Sequence, residues 1–290
     1  MYDNRLGALV LAAQELLPAE PSDLTGILVA EDQRAALTRL LPDAHSSELT
    51  SWLCMMIEPA RVQFWAQRLD KLEQEADVHL LLAHDPEYPA RLLSCWDRPP
   101  LLFIDGRLQT SDSAVAIVGS RAAGEEALRT SFDLGQRVAA AGIDVVSGLA
   151  AGVDTAAHEG ALSAGGQTVA VMGTGIERVF PEENRKLARR IAREGALVSQ
   201  FAPDAPRTST TFLKRNNVIA GLADVSVVID GQPRSGSRHQ SEQAARYERQ
   251  VLLWAPTLYG QVWAQDAVGR GEAVFVSEFE EVLAAVGAGN

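Results

Sequence analysis

The sequence predicts an α/β fold, a doubly wound and mostly parallel sheet, with a small N-terminal all-helical domain. Two observations carry the sheet. Between residues 114 and 170 two short apolar runs, AVAIV and IDVV, end in small residues, Gly119–Ser120 and Ser147–Gly148, and a segment of helical character follows each. The alternation then continues through TVAVM, ALVSQF, VSVVID and VLLWA. Short β-branched runs alternating with helices indicate parallel strands joined by crossovers. The third observation is that residues 1 to about 75 read as helical throughout. A chain of 290 residues with 47% hydrophobic content allows one large domain or two unequal ones. The expected division is 1–75 and 76–290.

Four helical stripes make up the first domain. Leu6, Val10, Leu16 and Leu17 form one, broken by Pro18 and Pro21; Ala35, Leu37, Leu40 and Leu41 form another, ended by Pro42. Leu49, Trp52, Leu53 and Met56 form the third, and Val62, Trp65, Leu69 and Leu72 the fourth. The bundle reads as a packing or interaction module, with Trp52, Met55 and Met56 expected in its core. Val78–Leu82 reads as a short edge strand. Prolines 86, 89, 99 and 100 break any helix except around Ala90–Cys95, and LLFIDG is a strand and turn.

AVAIV leads into a helix over Glu125–Ala140, whose Leu128, Phe132, Leu134 and Val138 can face the sheet. IDVVS leads to a helix from about Asp154 to Ala164, with Asp154 near its N-cap. TVAVM ends in Gly173–Thr174–Gly175, and Pro181 opens a basic helix over Glu182–Glu194. ALVSQF and a polar loop precede TSTTFLKRNNVIAGL, where Asn216–Leu222 is the helical part. VSVVID ends in GQPRSGS, a helix spans about Gln240–Arg249, and VLLWA follows. A strand AVFV and a helix from Glu278 to about Val286 close the sequence, and no separate domain fits after Pro256.

A net charge of −12 argues against a general nucleic-acid coat protein. The distribution says more. Between Arg178 and Arg249 lie 13 of the 26 Lys and Arg but only 8 of the 38 acids, so this span carries +5 and the remainder −17. A basic region on an acidic body suits a polyanion held at a defined place. Cys54 and Cys95 have no metal-ligand spacing and cannot form a disulfide framework. The start lacks a basic n-region and cleavage site, and no apolar run nears 20 residues, so a cytoplasmic location without membrane association is expected.

In doubly wound sheets ligands collect at the carboxyl ends of the strands. Four such ends carry small or anion-friendly residues: VGSR, SGLAAG, MGTG and SGS. Backbone N–H groups beside Gly and Ser, backed by helix N-termini, hold anions without any cationic side chain. Arg121 is placed for a forked contact to phosphate or carboxylate. GxGxxG and GxxxxGK[ST] are both absent, which disfavours an ordinary dinucleotide site and P-loop hydrolysis. Asp154 and His158, four residues apart, face one side of a helix, as acid–base machinery or as an Asp–His structural contact bracing the loop. No metal spacing, cofactor motif or catalytic set is assignable. Phe212, Lys214, Arg215, Asn216 and Asn217 form the sharpest remaining polar group, suited to a nucleic-acid backbone with a base stacked nearby.

These residues resemble the DprA/Smf family of DNA-processing proteins. The match runs from about Tyr88 to Pro256: YPARLL, PPLLFIDGRL, AIVGSR, VVSGLAAGVDTAAHEGALSAGGQTVAVMGTGIERVFPEEN, FLKRNNVIAGL and VVID…SGS, in the family's order and spacing. The resemblance implies an extended Rossmann-like fold that binds single-stranded DNA, protects it during natural transformation and loads the recombinase RecA onto it. It implies a homodimer and no catalytic reaction. Carried over residue by residue, the DNA pocket comprises Gly119, Ser120, Arg121, Ser147, Gly148, Lys214, Arg215 and Asn216, bordered by Ser235, Gly236 and Ser237, with Phe212 or its neighbours contacting a base. The N-terminal bundle sits where many members carry a SAM-like domain.

The chain also departs from the family. It reads Arg215–Asn216–Asn217 for RNR, Ser199–Gln200 for SE, and GSRHQS (Gly236–Ser241) for GSLITA. That rewriting supports an alternative from the wider superfamily, a nucleotide-binding or phosphoribohydrolase-like enzyme of the LOG type. Here Glu242 would stabilise an oxocarbenium-like ribosyl centre.

Overall fold

Leu6 to Ala13 are buried on every side of the first helix, α1 (Asn4–Leu16). A helix apolar all round has to lie at the centre of its layer. In this computed structural model, which describes residues 4–17, 22–108 and 113–287, α1 organises the first of two units, Met1–Asp105 with Gln200–Ala202. Helices α2 (Ser22–Val29), α3 (Glu31–Arg39) and α5 (Pro59–Ala76) pack on α1. Helix α4 (Glu48–Met56) packs on α3. Strands β1 (Val78–Leu82) and β2 (Leu101–Gly106) pair antiparallel, with the short helix α6 (Ala90–Leu93) between them.

Two expectations change here. Among the described residues the bundle has five helices, because Leu24, Ile27 and Leu28, buried at i, i+3 and i+4, form the extra helix α2. Pro18 and Pro21 lie outside the described residues. Second, α4 buries Thr50 and Leu53 with Ile57 beyond its end. That register turns the other face outward, and Trp52, Met55 and Met56 are exposed rather than core (Met55 is 73% exposed). Helix α3 stops at Leu40, in the left-handed region, which leaves Leu41 exposed.

Among its described residues the second unit, Gly106–Ser199 with Pro203–Asn290, holds seven parallel strands. They are β3 (Ala114–Val118), β4 (Asp144–Ser147), β5 (Thr168–Val171), β6 (Ala196–Ser199), β7 (Val225–Val228), β8 (Gln250–Trp254) and β9 (Val274–Val276). Their spatial order is β6-β5-β4-β3-β7-β8-β9. The chain winds outward from β3 through β6, then returns to β3's other side and winds outward again through β9. The switch point therefore lies between β3 and β7, where ligand crevices form in this architecture.

Helices α7 (Glu125–Ala140), α8 (Val153–Ser163) and α14 (Phe279–Gly287) cover one face of this sheet, packing on Val115, Ile117, Val225 and Val227. Helix α9 (Arg185–Glu194) continues that layer beside α8. The opposite face takes α10 (Ser209–Leu222) over β3, β4 and β5, and α11 (Gly236–Arg246) over β7 and β8. The small Ala114 and Ala116 point to this side of β3, opposite Val115 and Ile117, which suits close approach by α10. Helices α12 (Ala255–Leu258) and α13 (Val262–Gly269) complete the unit. Among the described residues, no helix is long and apolar enough to cross a membrane.

Helix α10 starts two turns earlier than its sequence suggests. Thr208 and Thr211 form a reciprocal capping box, with Thr211 N–H on Thr208 Oγ1 and Thr208 N–H on Thr211 Oγ1, both at 3.0 Å. Threonine hydroxyls at both positions look like loop composition in sequence. They are a helix start.

Candidate functional site

At the switch point a cavity of about 430 Å³ opens between the loops after β3 and β7. Its walls are Gly119–Ser120–Arg121 from β3, Ser235–Gly236–Ser237 at the start of α11, and one face of α10. The α10 contribution is Phe212, Arg215, Asn216 and Ile219, at i, i+3, i+4 and i+7 of one helical face, with Leu213 at its edge.

Arg215 is the central charge. It is only 4% exposed, and its guanidinium enters a space that exists because residue 148 is glycine: a Cβ there would lie 1.2 Å from Arg215 Nη1. Nη1 donates to Val171 O at 3.4 Å and lies 3.7 Å from Asp154 Oδ2. Burial lowers the Arg215 pKa, opposed by Asp154. It raises that of Asp154, opposed by Arg215 and by the Ala150 N–H. One carboxylate at that distance is thin compensation for a buried cation, and Arg121 adds a second positive charge at the rim. The cavity carries net positive charge.

The loop after β4 is braced from below. Gly152 (φ +83°) begins α8, and its left-handed backbone admits glycine where other residues would be strained. Asp154 Oδ2 accepts from Ala150 N–H at 3.4 Å, and His158 Nε2 accepts from Leu149 N–H at 3.4 Å. His158 Nδ1 meets Thr168 Oγ1 at 2.7 Å, and Thr168 in turn donates to Val145 O. The hydroxyl proton being committed, Nδ1 must carry the hydrogen and the ring is neutral. Burial, reinforced by the Arg215 charge, lowers the His158 pKa to about 3. Asp154 and His158 thus hold adjacent amides of one loop rather than each other. The loop is braced, but by these two separate contacts and not by the expected Asp–His contact.

Ser235 caps α11 by accepting from Arg238 N–H, its hydroxyl lies 2.8 Å from Ser237 Oγ, and Ser237 donates to Asp230 O. Asn216 Nδ2 donates to Gly236 O at 3.0 Å, tying α10 to this turn. The first-turn amides of α11 therefore reach the cavity wall at a fixed position. The Phe212 ring forms the other side, with Phe180 and Arg207 behind it. Arg121 lies 4.8 Å and Arg215 5.6 Å from the Phe212 ring centroid, Phe180 meets Phe212 edge-on at 5.9 Å, and Arg207 covers Phe180 at 4.4 Å.

Of the twelve residues expected from sequence, nine line the cavity: Gly119, Ser120, Arg121, Phe212, Arg215, Asn216, Ser235, Gly236 and Ser237. The other three do not. Ser147 is fully buried and donates to Ile117 O at 2.6 Å. Gly148 makes room for Arg215. Lys214 falls between Phe212 and Arg215 in sequence but off the helical face they share. Of the four strand ends, MGTG is also spent on structure, with Thr174 donating to Arg178 O and Gly173 abutting the Phe212 ring. Glu242 is the seventh residue of α11, pairs with Arg238 Nε at 2.8 Å and does not line the cavity. Sequence reading missed Phe180, Arg207 and Gln240. The first two sit in loops with no periodic signal, while Gln240 shares the i+4 register of Gly236, legible once the start of α11 is fixed.

The profile of the DNA recombination-mediator protein A family matches residues 79–287. Protein Smf of Synechocystis is 33% identical over 222 residues, covering 74% of this chain and 56% of that protein. Protein Smf of Escherichia coli is 34% identical over 217 residues, covering 72% and 57%. DNA processing protein DprA of Streptococcus pneumoniae is 37% identical over 169 residues, covering 58% and 60%. The match thus spans little more than half the length of these curated relatives. The crystal structure of the Streptococcus pneumoniae protein superposes with a TM-score of 0.71 at 26% identity, over 97% of this chain and 95% of that one. DNA processing protein A of Helicobacter pylori, solved for its single-stranded DNA binding mode, gives a TM-score of 0.64 at 23% identity, over 72% of this chain and 94% of that one, a likeness of fold.

Proposed function

The chain belongs to the DNA recombination-mediator protein A family, and from that premise we propose that it binds single-stranded DNA at the cavity between β3 and β7. The observation that carries the reading is the buried Arg215 beside the rim cation Arg121, in a cavity bordered by the Ser235–Ser237 helix start. Phosphates dock on Arg121, on the strand-end amides of Gly119 and Ser120 and on the α11 terminus, while Phe212 offers a face for a base. The strand lies against the part of the sequence that carries +5 on an otherwise acidic body. Following the family's role, the bound strand is passed to RecA during DNA uptake and recombination, with the protein acting as a homodimer. No chemical step is assigned to the cavity.

Titration of fluorescent oligo-dT at two salt concentrations tests this. Each phosphate neutralised contributes about −0.7 to the slope of log K against log salt for a single strand. Arg121→Glu should weaken binding and flatten that slope. Absence of binding at low salt removes the DNA reading, and an unaffected Arg121→Glu variant removes the assigned pocket. Co-precipitation with RecA in the presence and absence of the strand tests the handover.

A further inference from the structure

Helix α4 is held in one rotation about its axis by polar contacts at its start and on α3. Ser47 Oγ accepts from Thr50 N–H at 3.0 Å, and Gln33 Oε1 accepts from both Ser47 N–H and Thr50 Oγ1 at 2.8 Å. Cys54 Sγ donates to Ala36 O at 3.6 Å. Thr50 and Leu53 are fully buried by this arrangement. Trp52, Met55 and Met56, at i, i+3 and i+4, are left together on the outer face. Leu41, whose N–H shares the Ala36 carbonyl with Cys54, is exposed at the edge of the same helix. The face is therefore fixed outward, and turning it inward would expose Thr50 and break its hydrogen bonds.

Apolar side chains scattered singly over a surface are ordinary, but a group on one face marks an interaction site. Trp is the residue most often at the centre of such sites, and Met supplies flexible, polarizable surface that adapts to a partner. The charges around the face define that partner. Between Arg39 and Arg61 the chain has three acids, Asp43, Glu48 and Glu58, and no Lys or Arg. Glu48 lies one turn before Trp52, Glu58 follows closely after Met56, and both are exposed. The whole unit Met1–Asp105 with Gln200–Ala202 has 17 acids against 8 Lys and Arg, a net charge of −9. An anionic lipid surface is repelled by that charge. A second copy of this chain fits no better. Two α4 faces would bring like charges together, and the basic helix α9 buries its Ala188 and Ile191 and so offers cations without apolar anchors.

We propose that the outer face of α4 docks a basic amphipathic helix of another protein. Apolar anchors of that helix pack on Trp52, Met55 and Met56, and its Lys or Arg face Glu48 and Glu58. The inference is independent of the DNA reading, because the cavity belongs to the other unit.

The test is fluorescence anisotropy on the full chain with three labelled peptides of about four helical turns. One is a Leu/Lys amphipathic helix, the second has the same residues in scrambled order, and the third is the amphipathic Leu/Glu equivalent. The amphipathic Leu/Lys peptide should bind tighter than either other by on the order of tenfold, and more weakly as salt is raised. Met55→Ser combined with Met56→Ser should weaken it on the order of tenfold with an unchanged urea midpoint, since both side chains are exposed. Equal binding of the scrambled peptide reduces the contact to net charge, and equal binding of the Leu/Glu peptide removes the acidic rim; either overturns the proposal without any variant. Unaltered affinity in the double-serine variant places the peptide elsewhere and overturns it too. Self-association in sedimentation velocity, or binding to phosphatidylcholine vesicles, that the double-serine variant loses would overturn the assigned partner in favour of a second copy or a lipid surface.

Discussion

Replacing Arg215 by Met isolates the charge at the heart of the cavity, and its cost follows from geometry. Two unit charges 3.7 Å apart, at an effective dielectric constant of about 20, attract by about 4.5 kcal/mol. The abandoned carboxylate has an escape, however, because it can take up a proton. That costs about 1.4 kcal/mol for each pH unit above the ordinary Asp value of about 3.9, or roughly 4 kcal/mol at pH 7 and 1.5 kcal/mol at pH 5. The expected loss of stability is therefore about 4 kcal/mol at pH 7 and clearly smaller at pH 5. The sign is fixed by linkage. In the variant the folded-state pKa of Asp154 lies further above its unfolded value, so stability is full below the unfolded value and is lost as pH rises through the folded one. Urea unfolding followed by Trp fluorescence at both pH values reads this out, since Trp254 and Trp263 are buried in the unit that holds the cavity. Adding Asp154→Asn should recover most of the loss, a coupling that a double-mutant cycle isolates. A loss under about 1 kcal/mol at pH 7, or equal losses at both pH values, would refute the ion pair.

Three further outcomes follow from the same geometry. His158 has a folded-state pKa lowered to about 3, so its contribution is complete above the unfolded value near 6.5 and is lost as pH falls. That amounts to about 2 kcal/mol at pH 5, and His158→Gln should flatten the pH dependence of the urea midpoint between those limits. Gly148→Ala places a Cβ where Arg215 Nη1 now sits. It should displace the guanidinium and weaken oligo-dT binding on the order of tenfold, the weight of one charge-assisted contact; unaltered affinity would mean the buried position of Arg215 is irrelevant to binding. Arg121→Ala should reduce the salt slope by about 0.7, whereas Lys214→Ala, off the cavity face, should change it far less; the reverse ranking would relocate the strand.

The fold was legible because its signals are local. Apolar runs ending in Gly or Ser, each followed by a helical segment, located β3, β4 and β5, and the helix over Glu125–Ala140 appears with those bounds. The site was legible only where the chain turns. VGSR and SGS lie on the cavity wall because VGSR ends β3 and SGS opens α11, which starts at Gly236 rather than at the expected Gln240. What stayed hidden depended on helix phase. Starting α10 at Asn216 made Lys214 and Arg215 look alike, two cations in a loop; starting it at Ser209 separates them by about 100° around the axis, with Arg215 inside and Lys214 off the wall. The fate of a charge also depends on what faces it. Nothing near residue 215 in sequence indicates that Gly148 leaves the space its guanidinium fills.

Helix phase also changes the meaning of the departures from the family pattern. The missing cation, Asn217 in place of Arg, follows Asn216 by one residue and does not line the cavity. Gln200, in place of Glu, does not line it either. These two changes leave the cavity's own charges, Arg121 and Arg215 against Asp154, untouched. The rewritten run Gly236–Ser241 is different. Its N-terminal Gly236 and Ser237 keep the helix start on the cavity wall, Arg238 turns to Glu242 away from it, and Gln240, one turn on, faces the cavity. The substitution that looked most like loss of the family's pocket is thus confined to one new polar group inside it. By that alignment Gln240 stands in place of a threonine, so one polar side chain replaces another at this buried position. The rewriting therefore leaves the cavity's charges and its helix start in place.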